Sequence, residues 1–599
     1  MLTGGSRGLS ARQQTLRGAI AWSVELLSAD ERTLFIRLGV FLGGFTVEAA
    51  EAVGSDPADP GMVGDLDVLS GIESLADKSL VRRDGGTVSD PRFRMLETIR
   101  DHAWGMAHEA GIEGAMRDRH LDWITGLFTS TEEAAGRVDG TEILERLHAE
   151  LGNLRQALGW ASEVPVDGTR VTSGLYLCIA CGTYWSMRHD PADGAAMLDR
   201  LLSLVDPLMP EGTAMPEILA MVPPEVLAYA RVSTMRVRGM MGIHTPPSWI
   251  HPMLDGAIAY FRETGNRRGE GRALLQLATF LDLSKDDGPD SLRAALGALE
   301  AATEAGDALT IVPAHNWVGV TNQRAGRDLE AGDDFARALL LAEASGDRTA
   351  IWFSCLLLGN LHFNRRRWDD ADRYLVRNEG DTGTLATHSR WRRADIAMHI
   401  GDFPQAHEHL ARLAEGIAIG NLPQRAARLH QLGVGRLARL EGQLEVATRC
   451  FETMLAGRLE ATWPEMNFRV LAELALSKSG TFTGGVGELL SRALTCDPNG
   501  KNWYSPLPSL IAAVAEHVVA RDPASGILIG AMASRLGTHA WYLPSYAQDE
   551  ARITAILDQA RETHGIPIPH VPDDLTASDA ISECLEALAS MDATQVVTQ

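Results

Sequence analysis

The sequence predicts an all-α protein in which a small helical module, closed by one hairpin, precedes a long solenoid of helix pairs. Three observations predict it. Apolar residues recur three and four positions apart over most of the 599 residues, the period of a helix with one buried face. A turn, Asp84-Gly85-Gly86, joins two short runs that read as strands. A six-residue phrase ending in alanine returns four times in the second half. Hydrophobic residues make up 45% and charged residues 22%, as in a folded globular chain, and the length exceeds one ordinary core.

Thr15 to Leu27 reads as an amphipathic helix with Leu16, Ile20, Leu26 and Leu27 on its apolar side. Ser28 is a good N-cap, and Glu31 completes a capping box for the next helix, which turns Leu34, Phe35, Leu38 and Phe41 inward. Gly43-Gly44 ends that helix, and Thr46 opens another over Val47 to Val53. Ser55 to Gly64, rich in Pro, Gly and Asp, reads as a loop. Leu66, Leu69, Ile72 and Leu75 give a helix from about Asp65 to Lys78. Ser79-Leu80-Val81 and Arg92-Phe93-Arg94 then form the hairpin. Helix, helix, helix, hairpin is a winged helix-turn-helix, placed at residues 15–110, with a helical linker over 111–160.

Two roles compete for this module. A recognition helix in a DNA major groove needs positive charge near phosphates. Here Asp65, Asp67, Glu73 and Asp77 face only Lys78, and residues 1–160 carry 16 Lys and Arg against 25 Asp and Glu. The four arginines of the wing, Arg82, Arg83, Arg92 and Arg94, do not offset that balance. The favoured role is a regulatory spacer, and a DNA-binding transcription factor is the alternative.

The phrases GRDLEA (326–331), RRWDDA (366–371), GDFPQA (401–406) and GQLEVA (442–447) lie 40, 35 and 41 residues apart. Twelve positions before each final alanine stands a small residue: Gly319, Gly359, Ala394, Gly435. Four positions after it stands a large one: Phe335, Leu375, Leu410, Phe451. Two antiparallel helices approach closely only where small side chains meet, and the large residue is expected to fill the groove toward the next repeat. This is tetratricopeptide spacing, and the predicted α-solenoid covers residues 161–570, with an acidic tail at 571–599. Repeats before Ala308 and after Trp463 are degenerate. The first helix of each pair lines the concave face, which places Asn316, Gln323, Asn360, Phe363, Trp391, Asp395, Met398, Arg436 and Arg439 there as candidate partner-binding residues.

Other constellations read as structure. Gly4-Gly5-Ser6-Arg7-Gly8 lacks the strand that would present a nucleophile. Cys178 and Cys181 read as a buried core pair, and His399, His407 and His409 as solvated. Trp22, Trp104, Trp123, Trp160 and Trp185 read as packing residues. No catalytic, cofactor or metal site is expected. No G-x-x-x-x-G-K-[ST] occurs, so the chain by itself is not expected to be an enzyme. A net charge of −24 repels polyphosphate, and scattered cysteines with no signal peptide or apolar span point to a cytoplasmic protein.

Several phrases carry a family resemblance. TLRGAIAWSVELL from Thr15 resembles the phrase that follows the nucleotide-binding core in bacterial STAND-class ATPases, in particular the large LuxR-type and AfsR-type regulators. Glu150-Leu151-Gly152-Asn153-Leu154-Arg155-Gln156-Ala157-Leu158 is similar to the phrase opening their helical array, and Leu528 to Leu536 to one near its end. The resemblance implies an ATPase upstream, with residues 1–14 as its last part, so ATP or ADP is expected only with that domain. It also implies a nucleotide-binding domain, in cis or trans, as partner, and a protein, peptide or small-molecule effector in the solenoid groove. Related ATPases place a Met-His-Asp motif on the nucleotide; here Met95-Leu96-Glu97 stands there, and Leu96 cannot donate a hydrogen bond. Phe93, Leu96 and Ile99 are expected in the core.

Overall fold

The computed structural model describes residue 18 and residues 20–597, except 60, 87–90, 135–145, 188–190, 211, 241–246, 284–288, 379–383, 419–423, 457–463, 479–485, 497–505, 538–542 and 573. The readings of residues 1–14, of the opening Thr15-Leu16 and of Gly4 to Gly8 lie outside the described residues. The chain forms two units, residues 1–237 and 238–599. The boundary falls within the span expected as one array.

In the first unit, Ser28 caps helix α1 (Ala29–Leu38) as its sequence requires. Its hydroxyl accepts from the Glu31 N–H at 3.2 Å, and the Glu31 carboxylate accepts from the Ser28 N–H at 2.8 Å. Strand β1 (Phe45–Thr46) and helix α2 (Val47–Gly54) follow, with Thr46 as N-cap. The expected loop contains β2 (Met62–Val63), paired with β3 (Leu66–Asp67). The next helix, α3 (Val68–Asp77), therefore starts later than expected. Asp67 serves as its N-cap, accepting from the Ser70 N–H at 2.9 Å. Strands β4 (Arg82–Gly86) and β5 (Pro91–Arg94) make the hairpin; β4 starts three residues later than the sequence suggests, after Ser79 turns left-handed at φ 59°, and takes in the expected turn Asp84-Gly85-Gly86, while β5 holds its expected place. Sheet order β1-β5-β4 completes a winged helix-turn-helix.

Its core is apolar. Leu34, Phe35, Leu38, Ala49, Val53, Val68, Ile72 and Leu75 have no exposed surface. Leu96 departs from expectation and is 49% exposed. The strand alternation that turns Phe93 and Met95 inward turns Arg94 and Leu96 outward. Trp22 is also exposed, because Ile20 and Val24 take the core positions of that stretch. Helices α4 (Glu97–Glu109), α5 (Glu113–Ala134), α6 (Leu151–Ala161), α7 (Gly168–Ala180), α8 (Gly182–Met187), α9 (Pro191–Val205) and α10 (Pro216–Leu219) continue the unit, and α11 (Pro224–Met240) runs across its end.

The second unit stacks helices: α12 (Ile250–Glu263), α13 (Arg267–Leu283), α14 (Pro289–Ala305), α15 (Ala308–Arg324), α16 (Asp328–Ser345), α17 (Arg348–Asn364) and α18 (Trp368–Leu375). There follow α19 (Thr384–Ile400), α20 (Phe403–Ala418), α21 (Gln424–Leu440), α22 (Leu444–Ala456), α23 (Pro464–Lys478) and α24 (Val486–Cys496). The last are α25 (Leu507–Val519), α26 (Pro523–Leu536), α27 (Ala547–His564) and α28 (Ala577–Val597). Ala331, Ala371, Ala406 and Ala447 are fully buried. A Cβ added at Gly319 would stand 2.4 Å from the Phe335 ring, and one at Gly435 2.6 Å from the Phe451 ring. The large residue of each phrase thus covers the small residue of its own pair. Phe335 also joins Cys355, Leu358 and Leu361 of the next first helix, so it fills both spaces. The expected acidic tail is largely α28, whose Ala580, Ile581, Cys584 and Leu588 form one buried stripe against α25.

Candidate functional site: the inner face of the repeats

First helices of successive repeats present polar groups along one line. On α15 and α17, the Asn316 amide donates to the Ser354 hydroxyl at 3.1 Å. From α19, Arg392 donates to the Asn360 carbonyl oxygen at 2.9 Å and to Asp395 at 3.1 Å, and its guanidinium lies 4.4 Å over the Phe363 ring. Asp395 also accepts from Arg436 of α21 at 3.0 Å, and Arg436 pairs with Glu473 of α23 at 2.6 Å. Arg439, one turn on, donates to Glu473 at 3.0 Å and to Asp549 of α27 at 2.9 Å. Three guanidiniums and three carboxylates thus form one linked network, every member under one-tenth exposed.

The far side of this network is a distant piece of chain. Leu543 packs with Phe363, Leu375 and Ile396. The Tyr546 hydroxyl donates to Asp395 at 2.5 Å, and its ring stacks on His399 at 4.1 Å, with Trp368 stacked behind at 4.9 Å. Glu550 pairs with Arg366, which donates to it at 3.0 Å. Asp395, His399, Arg436, Glu473, Tyr546 and Asp549 enclose a cavity of about 20 Å³, room for roughly one water.

Burial would raise the Asp395 pKa, but Arg436 and Arg392 overcome that and hold it at about 2. Glu473 is likewise lowered by Arg436 and Arg439 against its own desolvation. Burial lowers His399 to about 4, more than Asp395 restores, so the stacked imidazole is neutral at pH 7. Burial pushes the Tyr546 phenol well up, which keeps it a donor. The site is preorganised for carboxylates and one aromatic hydroxyl.

All nine expected residues are buried: Asn316, Gln323, Asn360, Phe363, Trp391, Asp395, Met398, Arg436 and Arg439, with Trp391 and Met398 in apolar clusters. The face is therefore not an open solvated surface, because neighbouring repeats and residues 543–550 cover it. Asn360, Asp395, Arg436 and Arg439 join the network; Phe363 supports Arg392 and His399; Met398 packs with Tyr546. Asn316 stands two repeats away. Sequence reasoning passed over Arg392, which falls outside the register used and lies three residues before Asp395, and Glu473, which lies in the degenerate stretch after Trp463, and had no signal for Tyr546 and Asp549. His399 is enclosed rather than solvated, and His409 is buried on the face of α20 that carries Ala406, Leu410 and Leu413. His407 is exposed and pairs with Glu441 at 2.9 Å.

The first unit offers a different kind of site. Asn153 accepts from the Leu42 N–H at 2.8 Å and donates to the Gly44 carbonyl at 3.0 Å, which fixes the turn before β1. Arg92 of β5 pairs with Glu150 and donates to the Ala149 carbonyl at 2.9 Å. A Cβ at Gly152 would stand 2.4 Å from the Leu42 carbonyl oxygen. Glu-x-Gly-Asn is thus a clamp on the winged helix. The outward residues of α3 are Leu69, Ser70, Glu73 and Asp77, while Lys78 is drawn to Glu31 at 2.9 Å. Cys178 and Cys181 are buried, and burial pushes the Cys178 thiol far up. Among the described residues no helix is long and apolar enough to cross a membrane.

No family model matches the chain. Over 204 residues, 34% of this chain, it is 36% identical to a Mycobacterium tuberculosis protein named as an HTH-type transcriptional regulator, and equally to one from Mycobacterium bovis. The chain spans 22% of the length of these relatives. An uncharacterized Mycobacterium tuberculosis protein is 34% identical over 122 residues, 20% of this chain and 30% of its own. Among solved structures, a signal transduction ATPase with a tetratricopeptide repeat sensor from Pyrococcus horikoshii is similar over 82% of this chain and 65% of its own, with 12% identity and a TM-score of 0.35. Yeast Tom70 is similar over 71% of this chain and 89% of its own, with 12% identity and a TM-score of 0.32.

Proposed function

We propose that this chain is the sensing and coupling part of a STAND-type transcriptional regulator and carries no catalysis of its own. The repeats receive a protein segment or small effector on their inner face. The winged-helix unit passes the event to a nucleotide-binding domain, in cis or trans, with ATP or ADP held there and not in this chain. The observation that carries the reading is the linked line of charges across α19, α21, α23 and α27. Buried ion pairs add little net stability compared with apolar packing, so such a line is better suited to recognition than to holding repeats together. The mycobacterial relatives supply the transcriptional setting, and the phrases at Thr15 and Glu150 supply the link to a nucleotide switch. DNA contact through α3 is disfavoured, since its outward face carries Glu73 and Asp77 and no cation.

Joined to a nucleotide-binding domain, the full chain should slow nucleotide exchange, and a chain lacking residues 238–599 should not. Equal exchange rates would overturn the reading. A gel shift with the full chain should show no salt-sensitive DNA complex; a tight, salt-sensitive one would favour the transcription-factor alternative.

A further inference from the structure

Residues 543–550 meet the inner face as a ligand meets a receptor. They lie more than 100 residues beyond α17 to α21, whose inner side they meet, and also touch α25 through Ser545 and Ser509 at 2.8 Å. Beside the apolar Leu543, their polar contacts with these repeats come from three side chains in one short phrase: an aromatic hydroxyl at Tyr546 and carboxylates three and four residues on, at Asp549 and Glu550. Each meets its complement, Tyr546 on His399 and Asp395, Asp549 on Arg439, Glu550 on Arg366.

Arg366 marks the site independently. The turns opening the other three phrases use Gly326, Gly401 and Gly442, at φ of 75°, 78° and 80°. Arg366 takes the same left-handed turn at φ 57°, where a side chain is disfavoured. Glycine would relieve that turn, yet the residue present is the one that reaches Glu550. Observed strain of this kind points to function rather than to folding.

The fit is also incomplete. Arg439 keeps a buried Nη2 with no hydrogen bond among the described residues, so another acidic segment could satisfy it better.

We propose that the inner face around Trp368, His399, Arg436 and Arg439 is a receptor for an acidic partner segment of the pattern aromatic-x-x-Asp-Glu, and that Tyr546 to Glu550 is its internal competitor. The proposal rests on the sensing role given above and names the class of partner. Displacement frees α27 and reports occupancy.

Three measurements on the full chain test it. By hydrogen exchange, the amides of 546–556 should open locally, about tenfold faster or more than those of α25. Equal protection overturns the proposal. A labelled peptide of residues 543–552 should bind a chain carrying Tyr546→Ala, Asp549→Ala and Glu550→Ala about tenfold or more tighter than the unaltered chain, whose own segment competes. A peptide with the same three changes should not bind. No binding by the folded triple variant overturns the proposal, and so does a concentration-dependent dimer exchanging α27, which would make the occupant a second copy. Should the triple variant not fold, Arg366→Gly decides. Faster exchange in 546–556 at an unchanged or higher thermal midpoint supports the competitor, and unchanged exchange overturns it. If the peptide fails while removal of 238–599 still releases nucleotide exchange, the partner class falls and the sensing role stands.

Discussion

The two units bury polar groups in opposite ways. In the winged-helix unit, polar atoms fix the edges of an apolar core: Ser28 and Glu31 cap α1, and Asn153 holds the turn before β1. In the repeat unit, charges occupy the inside, and Asp395, Arg436, Glu473 and Arg439 take positions where apolar residues would pack. Distance along the chain is alike in the two, since Asn153 lies 111 residues from Leu42 and Asp549 110 residues from Arg439. What differs is the charge: the first closes on neutral hydrogen bonds at the rim of an apolar core, whereas the second buries ions and leaves the Arg439 Nη2 without a hydrogen bond among the described residues. A neutral contact that is met is built to hold still, whereas a buried cation left short can take another carboxylate.

That contrast is most strongly strained by Arg439→Leu. Glu473 and Asp549 would each lose a buried cation, and breaking such a pair costs about 3–5 kcal/mol. The thermal midpoint of the repeat unit should fall sharply, and a fall no larger than for a surface arginine such as Arg293 would place the network outside the core energetics. Next comes Gly319→Val, where the new side chain meets Phe335 and overpacking costs about 1–3 kcal/mol. Urea titration should show a lower midpoint, and an unchanged one would mean the pair can spread. In the first unit, Asn153→Ala orphans the Leu42 N–H and leaves the Gly44 carbonyl only its bond from Arg92 at 3.2 Å, at a cost of about 1–3 kcal/mol. Protection of the 42–46 amides should drop, with repeat-unit exchange unaffected.

Acid gives the smallest and most discriminating effect. His399 titrates near 6.5 when unfolded and about 4 when folded, because burial disfavours its charge and Arg436, Arg366 and Arg392 add to that against Asp395. Between those values the unfolded chain binds the extra proton, so stability falls as pH drops from about 6.5 to about 4. His120 of the first unit is lowered by burial to about 4 and acts over the same window. His399→Phe should therefore flatten the pH dependence of exchange at 546–556 and leave that of the first unit intact. Asp395, held at about 2, adds its own loss only below its unfolded value near 3.8.

By itself the sequence determined the helices, the capping box and the small-to-large matches of the repeats. Each follows from spacing within a few dozen residues, where backbone geometry dictates which side chains meet. It also put Asn360, Asp395, Arg436 and Arg439 in one repeat register, because that register has a helical period. Only the tertiary structure decided that the face is covered, that α28 packs rather than trails, and that Arg392 and Glu473 complete the network. The reason is physical: a carboxylate 110 residues from its arginine leaves no period in the sequence, and burial of a charge depends on which distant segment excludes water from it.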